Sequence, residues 1–201
     1  MKGNYVQANR KEYLNIMISD LLIVVDMQND FITGPLGTKA AQNIVNNVVE
    51  TLQTYKNENK PVVFTKDVHS KNYLETFEGK HLPVEHCIKT EGGLICDELL
   101  PYTYMYDDKD RNFCIHKYTF GYIGWPQVIS HIEDVIHTHI DSIEICGLCT
   151  DICVVANAII LRACYPGMKI TVDSSCCAGT SADNHEAALK VMKSQQIDVI
   201  E

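Results

Sequence analysis

Six short apolar runs, separated by helix-like or loop-like stretches, constrain this chain more than any other feature of it. LLIVVD (21–26), PVVFTKD (61–67), NFCIHK (112–117), SIEICGL (142–148), MKITVD (168–173) and the closing IDVI are each too short for an ordinary helix. The first is continuously apolar, the pattern of a strand covered on both faces. Helical periods lie between them. Thr38 can cap a helix over 38–58, in which Ile44, Val45, Val48, Val49 and Leu52 fall on one side. Further helices are expected at 124–139, 151–165 and 181–194, while 68–92, rich in His, Glu, Gly and Pro, reads as loop. Alternating strands and helices predict a three-layer α/β/α fold with a mostly parallel central sheet of about six strands. Residues 18–201 form one domain in this reading, and residues 1–17 form an N-terminal extension without a strong apolar period.

Such sheets bind ligands beyond the C-terminal ends of their strands. Neither GxGxxG nor GxxxxGK[ST] occurs, so a nucleotide phosphate loop is not expected. The net charge of −9 argues against a general nucleic-acid binder or an anionic-membrane binder. No apolar run reaches the roughly 20 residues of a membrane span, and the polar N-terminus does not resemble a signal peptide. A cytoplasmic protein is expected. Its nine cysteines are then read mostly as free thiols packed as small hydrophobes, Cys87, Cys96, Cys114 and Cys164 among them. Cys176 and Cys177 read as a packed turn between a strand and a helix.

The strand ends carry the reactive groups. Strand one ends in Asp26, strand two in Asp67, strand three in Lys117, and the strand at 142–148 runs into CTDIC. In CGLCTDIC (146–153) Thr150 or Asp151 can cap the next helix, which puts Cys153 in its first turn. Backbone N–H groups and the helix dipole there favour a thiolate and lower its pKa. Three readings of this stretch stand together: a metal cluster, buried core, or one nucleophile. Zinc fits least, since paired CxxC motifs are missing. Asp26 could be a turn aspartate and Lys117 a solvated lysine. Together, a carboxylate beside a lysine could take a thiol proton and return it to a leaving group.

A second cluster begins at Asp67. Residues i and i+2 at a strand end point to one side, so Asp67 and His69 can converge. His86 follows in LPVEHC, after a loop holding Glu75 and Glu78. One carboxylate and two imidazoles can bind Zn²⁺, Fe²⁺ or Mn²⁺ and leave positions open. Chance DxH pairs are common, and His81, a looser candidate, reads as a surface residue.

VVDMQNDF, the D-x-H loop ending in LPVEHC, the lysine of IHKYTFGY and GLCTDICV before a helix together resemble the isochorismatase-like cysteine hydrolases, most closely the metal-bearing nicotinamidases. The resemblance covers about residues 20–201. It implies that Cys153 is the nucleophile, Asp26 the proton carrier and Lys117 the third member of the triad. It implies a divalent metal, most often Zn²⁺, on Asp67, His69 and His86, with Glu78 the best placed further ligand. It implies a cis peptide at Leu148–Cys149 and an oxyanion hole from the backbone N–H groups of Cys149 and Cys153. Phe31, Tyr118 and Tyr122 would line a pocket for a flat ring. The tryptophan that many nicotinamidases carry before the last metal histidine is replaced here by the stretch from Leu82 to His86.

The implied reaction is hydrolysis of a small-molecule amide, nicotinamide first, through a thioester. Competing readings are a relative acting on an N-carbamoyl compound, a zinc hydrolase with no covalent step, and a binding protein. A homodimer or homotetramer is expected, as is common in the family.

Overall fold

A computed structural model of the chain describes residues 17–103 and 112–201. The expected extension at 1–17 lies outside the described residues, apart from Met17. Six strands form one parallel sheet: β1 (Ile18–Val25), β2 (Val62–Asp67), β3 (Asn112–Lys117), β4 (His139–Leu148), β5 (Lys169–Ala178) and β6 (Asp198–Ile200). Their order is β3-β2-β1-β4-β5-β6, and every pairing is parallel. The expected α/β/α architecture is therefore present, with the sheet wholly parallel.

Leu21 to Val25 of β1 are fully buried on both faces, which is why the run shows no alternation. Two short helices, α1 (Asn29–Ile32) and α3 (Phe77–His81), lie near the ends of β1 and β2, and α2 (Lys39–Asn57) separates them. Thr38 caps α2 by accepting from the Ala41 N–H at 3.0 Å. The apolar side of α2 buries Ile44, Val45, Val48 and Leu52. On the other half of the chain come α4 (Trp125–Ile136), α5 (Val155–Cys164) and α6 (Ala182–Ser194). Among the described residues no helix is long and apolar enough to cross a membrane.

Several boundaries differ from expectation. β4 starts at His139, three residues early, because its first residues pair with Ile18 and Ser19 of β1. β5 continues to Ala178, so Cys176 and Cys177 are buried strand residues and not a turn. Their pairing resumes at Gly147–Cys177 after a register shift, which interrupts the sequence pattern halfway along the strand. The stretch expected as one helix over 151–165 opens with a π-helical turn at Thr150–Val154 before α5. Cys114 and Cys164 are exposed, against the expectation of core. Cys114 lies on the edge strand β3, where alternate side chains face outward, and Cys164 is the last residue of α5.

Candidate active site

The sheet changes direction between β1 and β4: chain order runs outward one way through β2 and β3, and the other way through β5 and β6. A crevice opens at such a switch point, beyond the strand ends. The residues of interest meet there. Asp67 and Lys117 are direct register partners on β2 and β3, so their side chains leave the sheet side by side. Asp26 follows β1 between them and β4, with a left-handed φ of 48°.

Asp26 and Lys117 are both buried, at 0% and 1% exposure, a placement that charged side chains tolerate only when paired. Asp26 Oδ2 lies 2.6 Å from Lys117 Nζ, an ion pair whose angles fall outside those of a directed hydrogen bond. Asp26 Oδ1 accepts from the Thr65 hydroxyl at 2.7 Å. Lys117 Nζ also donates to Cys153 Sγ at 3.4 Å and lies 3.5 Å from Asp67 Oδ1. The solvated-lysine reading of Lys117 is thereby excluded.

Burial raises the Asp26 carboxyl above its ordinary range, and Lys117 offsets part of this. Burial works to lower the Lys117 pKa, but Asp26, Cys153 and Asp67 around it hold the ammonium protonated. Burial also pushes the Cys153 thiol well up, Asp26 pushes it further, and Lys117 opposes both. That direction corrects the lowered thiolate pKa expected from a helix terminus. Cys153 is almost fully buried beside a carboxylate, and those two effects outweigh the dipole. Burial thus disfavours both anions, thiolate and carboxylate, and the Lys117 ammonium offsets part of that for each.

The second cluster sits 3.5 Å away across Asp67. Asp67, His69 and His86 each offer a ligand atom, all within 4.8 Å of one another. His69 Nε2 is 2.8 Å from Asp67 Oδ2, and His86 Nε2 is 3.6 Å from the same oxygen. His86 Nδ1 contacts the Val84 carbonyl at 2.7 Å, which puts the proton on Nδ1 and leaves the Nε2 lone pair facing the cluster. His69 Nε2 is buried and makes no well-directed hydrogen bond among the described residues. An orphaned imidazole nitrogen, a second with a free lone pair and a shared carboxylate fit a divalent cation. Glu78 Oε1 stands 3.5 Å from His69 Nε2 and 3.9 Å from His86 Nε2, on α3. Burial raises the Asp67 carboxyl, but His69, Lys117 and His86 together hold it below its usual range.

A cavity of about 890 Å³ opens over both clusters. Phe31, Tyr118, Cys149 and Cys153 are among its lining residues, as are Asp67, His69, Glu78 and His86. Leu82 also lines it. Tyr122 does not: its ring packs edge-on against Trp125, 5.6 Å between centroids. The peptide Leu148–Cys149 is cis. His185 makes a local contact, Nδ1 to the Thr150 hydroxyl at 2.8 Å.

Sequence reasoning passed over the residues that hold the clusters in place. Gln28 is fully buried: its amide nitrogen donates to the carbonyls of Asp67 and Gly93, and its oxygen accepts from the Asp67 N–H at 2.7 Å. Asp30 accepts from the Cys87 N–H at 2.7 Å, and the Cys87 carbonyl accepts from the His69 N–H at 2.9 Å. One short path therefore fixes the loop between His69 and His86. Both residues lie within VVDMQNDF, whose polar letters inside an apolar string were the available signal.

Fold and site together place a buried carboxylate, lysine and cysteine at the switch point of a wholly parallel α/β sheet. The chain belongs to the isochorismatase family, whose Isochorismatase domain model matches residues 20–201. No curated protein matches the sequence at a significant level. Among solved structures, a nicotinamidase from Bacillus subtilis is 25% identical, with a TM-score of 0.78 over 91% of this chain and 99% of that one. A pyrazinamidase of Pyrococcus horikoshii in complex with zinc is 24% identical, with a TM-score of 0.73 over 91% and 99%. An N-carbamoylsarcosine amidase from Thermoplasma acidophilum is 23% identical, with a TM-score of 0.70 over 91% and 96%. The last two likenesses are of fold.

Proposed function

We propose that this hydrolase is a cysteine-dependent amidohydrolase whose substrate is nicotinamide, converted with water to nicotinate and ammonia. The observation that carries the reading is the buried Asp26–Lys117–Cys153 contact set, whose Cys153 lines the cavity. Asp26 takes the thiol proton. The sulfur of Cys153 attacks the carboxamide carbon and forms a C–S bond as the carbonyl electrons move to oxygen. The backbone N–H groups of Cys149 and Cys153 receive that oxyanion. The C–N bond then breaks, and ammonia leaves with the proton held by Asp26. Water, deprotonated by Asp26, cleaves the thioester and returns the proton to the thiol. Lys117 keeps its own proton throughout and balances the negative charge as it moves between Asp26 and Cys153.

Asp67, His69 and His86 would hold a divalent metal, most readily Zn²⁺, with Fe²⁺ or Mn²⁺ compatible with the same donors and Glu78 as a further ligand. When bound it supplies a Lewis-acid point for a substrate lone pair such as the pyridine nitrogen. Phe31 and Tyr118 would flank the ring. The walls favour a neutral amide over an anionic one. Among the described lining residues there is no arginine or lysine, while Asp67 and Glu78 are acidic. An N-carbamoyl amino acid would bring a carboxylate that meets no lysine or arginine among the described lining residues. The 25% identity to a nicotinamidase points the same way.

Ammonia release from nicotinamide tests the reading, with wild type beside Cys153→Ala and zinc content measured in both. Release by the wild type and a loss of about 10³-fold or more in the variant is expected. No release by a metal-loaded, thiol-reactive wild type discards nicotinamide. Undiminished release by the variant discards the covalent route.

A further inference from the structure

Asparagine is a poor residue for a helix interior, because its amide competes with the backbone for hydrogen bonds. Asn157 nevertheless lies inside α5, with no exposed surface. A buried carboxamide is costly unless both N–H donors and both carbonyl lone pairs find partners. All four do. Nδ2 donates to the Cys153 carbonyl at 2.8 Å and to the Phe120 carbonyl at 3.2 Å. Oδ1 accepts from the Tyr122 N–H at 2.9 Å and from Trp125 Nε1 at 2.9 Å.

These partners come from two parts of the site. Cys153 carries the thiol on the turn after β4. Phe120 and Tyr122 belong to the connection that leaves Lys117 and leads to α4, and Tyr118, Thr119 and Phe120 of that connection form cavity wall. Trp125 is a fully buried anchor at the start of α4. Among the described residues, no other side chain hydrogen-bonds to both the cysteine turn and this wall. Tyr118 is 71% exposed and Phe120 46%, so apolar packing alone holds the wall weakly.

We infer that Asn157 is a positioning residue for the proposed hydrolysis: its amide fixes the 118–122 wall relative to the Cys153 thiol. This rests on the reading of Cys153 as nucleophile. Asn157 acts through two neighbours and touches neither substrate nor the path of the proton. The two halves of its role are separable by chemistry. Leucine at this position fills similar space and makes none of the four bonds. Threonine can place a hydroxyl against the carbonyl four residues back, here that of Cys153, and leaves the wall untied.

The test uses the full chain with Asn157→Leu and Asn157→Thr, all values expressed per folded molecule. It reads kcat and KM for nicotinamide and the rate at which iodoacetamide alkylates Cys153, with exposed Cys164 as internal control. Asn157→Leu is expected to lower kcat/KM at least about tenfold and to change the Cys153 alkylation rate at least about threefold, with Cys164 unaffected. Asn157→Thr is expected to restore kcat and the alkylation rate while KM stays raised. Wild-type kcat, KM and alkylation in either folded variant overturn the inference, because a merely structural role moves only the folded fraction. If Asn157→Leu does not fold, the raised KM of Asn157→Thr decides alone. If the wild type alkylates but leaves nicotinamide intact, the substrate reading fails, and the alkylation contrast between the variants still decides the role of Asn157.

Discussion

Asp26 holds a charge in a place that stability alone would not choose: it has no exposed surface, and its backbone is left-handed without being glycine. Its function is legible from the proton balance of its neighbours. Lys117 is held protonated, so only one further proton is shared between Asp26 and Cys153. Burial and Asp26 push the thiol well above its ordinary range, so transfer of its proton to Asp26 accompanies attack. As pH falls, Asp26 takes a proton from solvent and can no longer accept one from the thiol, so kcat/KM falls on the acid side. Burial raises the carboxyl, with Lys117 opposing, so the midpoint of that limb lies above the ordinary 3.8 of an aspartate. Asp26→Asn removes the base and leaves Lys117 without its 2.6 Å counter-ion. A loss of about 10²–10⁴-fold in turnover is expected. The check is the pH profile of Cys153 alkylation in both proteins: the limb set by Asp26 is lost in the variant, whose alkylation follows the ionisation of the Cys153 thiol itself. An acid limb that survives unchanged in Asp26→Asn assigns the base to another group.

At the scale of elements, the site depends on how closely β4 approaches β1. Gly147 has a φ of +112°, a conformation that side chains resist, and a Cβ built there would lie 2.1 Å from the Val25 carbonyl oxygen. Gly147→Ala therefore adds backbone strain to a steric clash between two central strands. Each effect costs about 1–3 kcal/mol, so a loss of at least about 2 kcal/mol is expected. A urea unfolding curve reads it as a lower midpoint at unchanged slope. A variant as stable as wild type would show that the strands separate freely at this point, and that the crevice is not set by their spacing. The same elements show what a sequence displays and what it hides. The strand ends at Asp26, Asp67 and Lys117 were legible, because apolar runs stop abruptly at charged residues and parallel strands deliver their ends to one rim. The extent of β5 was not, because its pairing skips residues opposite Ile145 to Gly147 and its polar middle, Asp173 to Ser175, resembles a turn. The exposure of Cys114 was hidden for a related reason: composition cannot say that β3 is an edge strand. Gln28, Asp30 and Asn157 were hidden most deeply. A polar residue acquires its partners from segments up to 65 positions away, as Gln28 does from Gly93, and no local period reports them.

For the whole molecule, the question is what joins the half of the sheet that carries Asp67 and Lys117 to the long loop above it. Among the described residues, the contacts that hold the segment between His69 and His86 include Asp30 on the Cys87 N–H, the Cys87 carbonyl on the His69 N–H, Asp67 2.8 Å from His69, and buried Tyr73, whose hydroxyl donates to the Leu82 carbonyl at 3.0 Å. A cation on Asp67, His69 and His86 would cross-link the strand end to the far end of that loop. It would bind the folded chain far better than the unfolded one, in which the three ligands are not gathered. Free metal at 100 times its dissociation constant then stabilises the fold by about 2.7 kcal/mol. For a domain of this size that corresponds to a rise of roughly 5–10 °C in Tm. Thermal unfolding of chelated protein beside protein with excess zinc is the measurement, in wild type, His86→Ala and Cys153→Ala. The shift is expected in wild type and in Cys153→Ala, whose thiol is not a ligand, and is expected to vanish in His86→Ala. Because this readout does not require turnover, it separates the metal cluster from the identity of the substrate. Coincident melting of chelated and zinc-treated wild type would mean that the three residues are a hydrogen-bonded support for Lys117, and that any ring in the cavity is held by its walls.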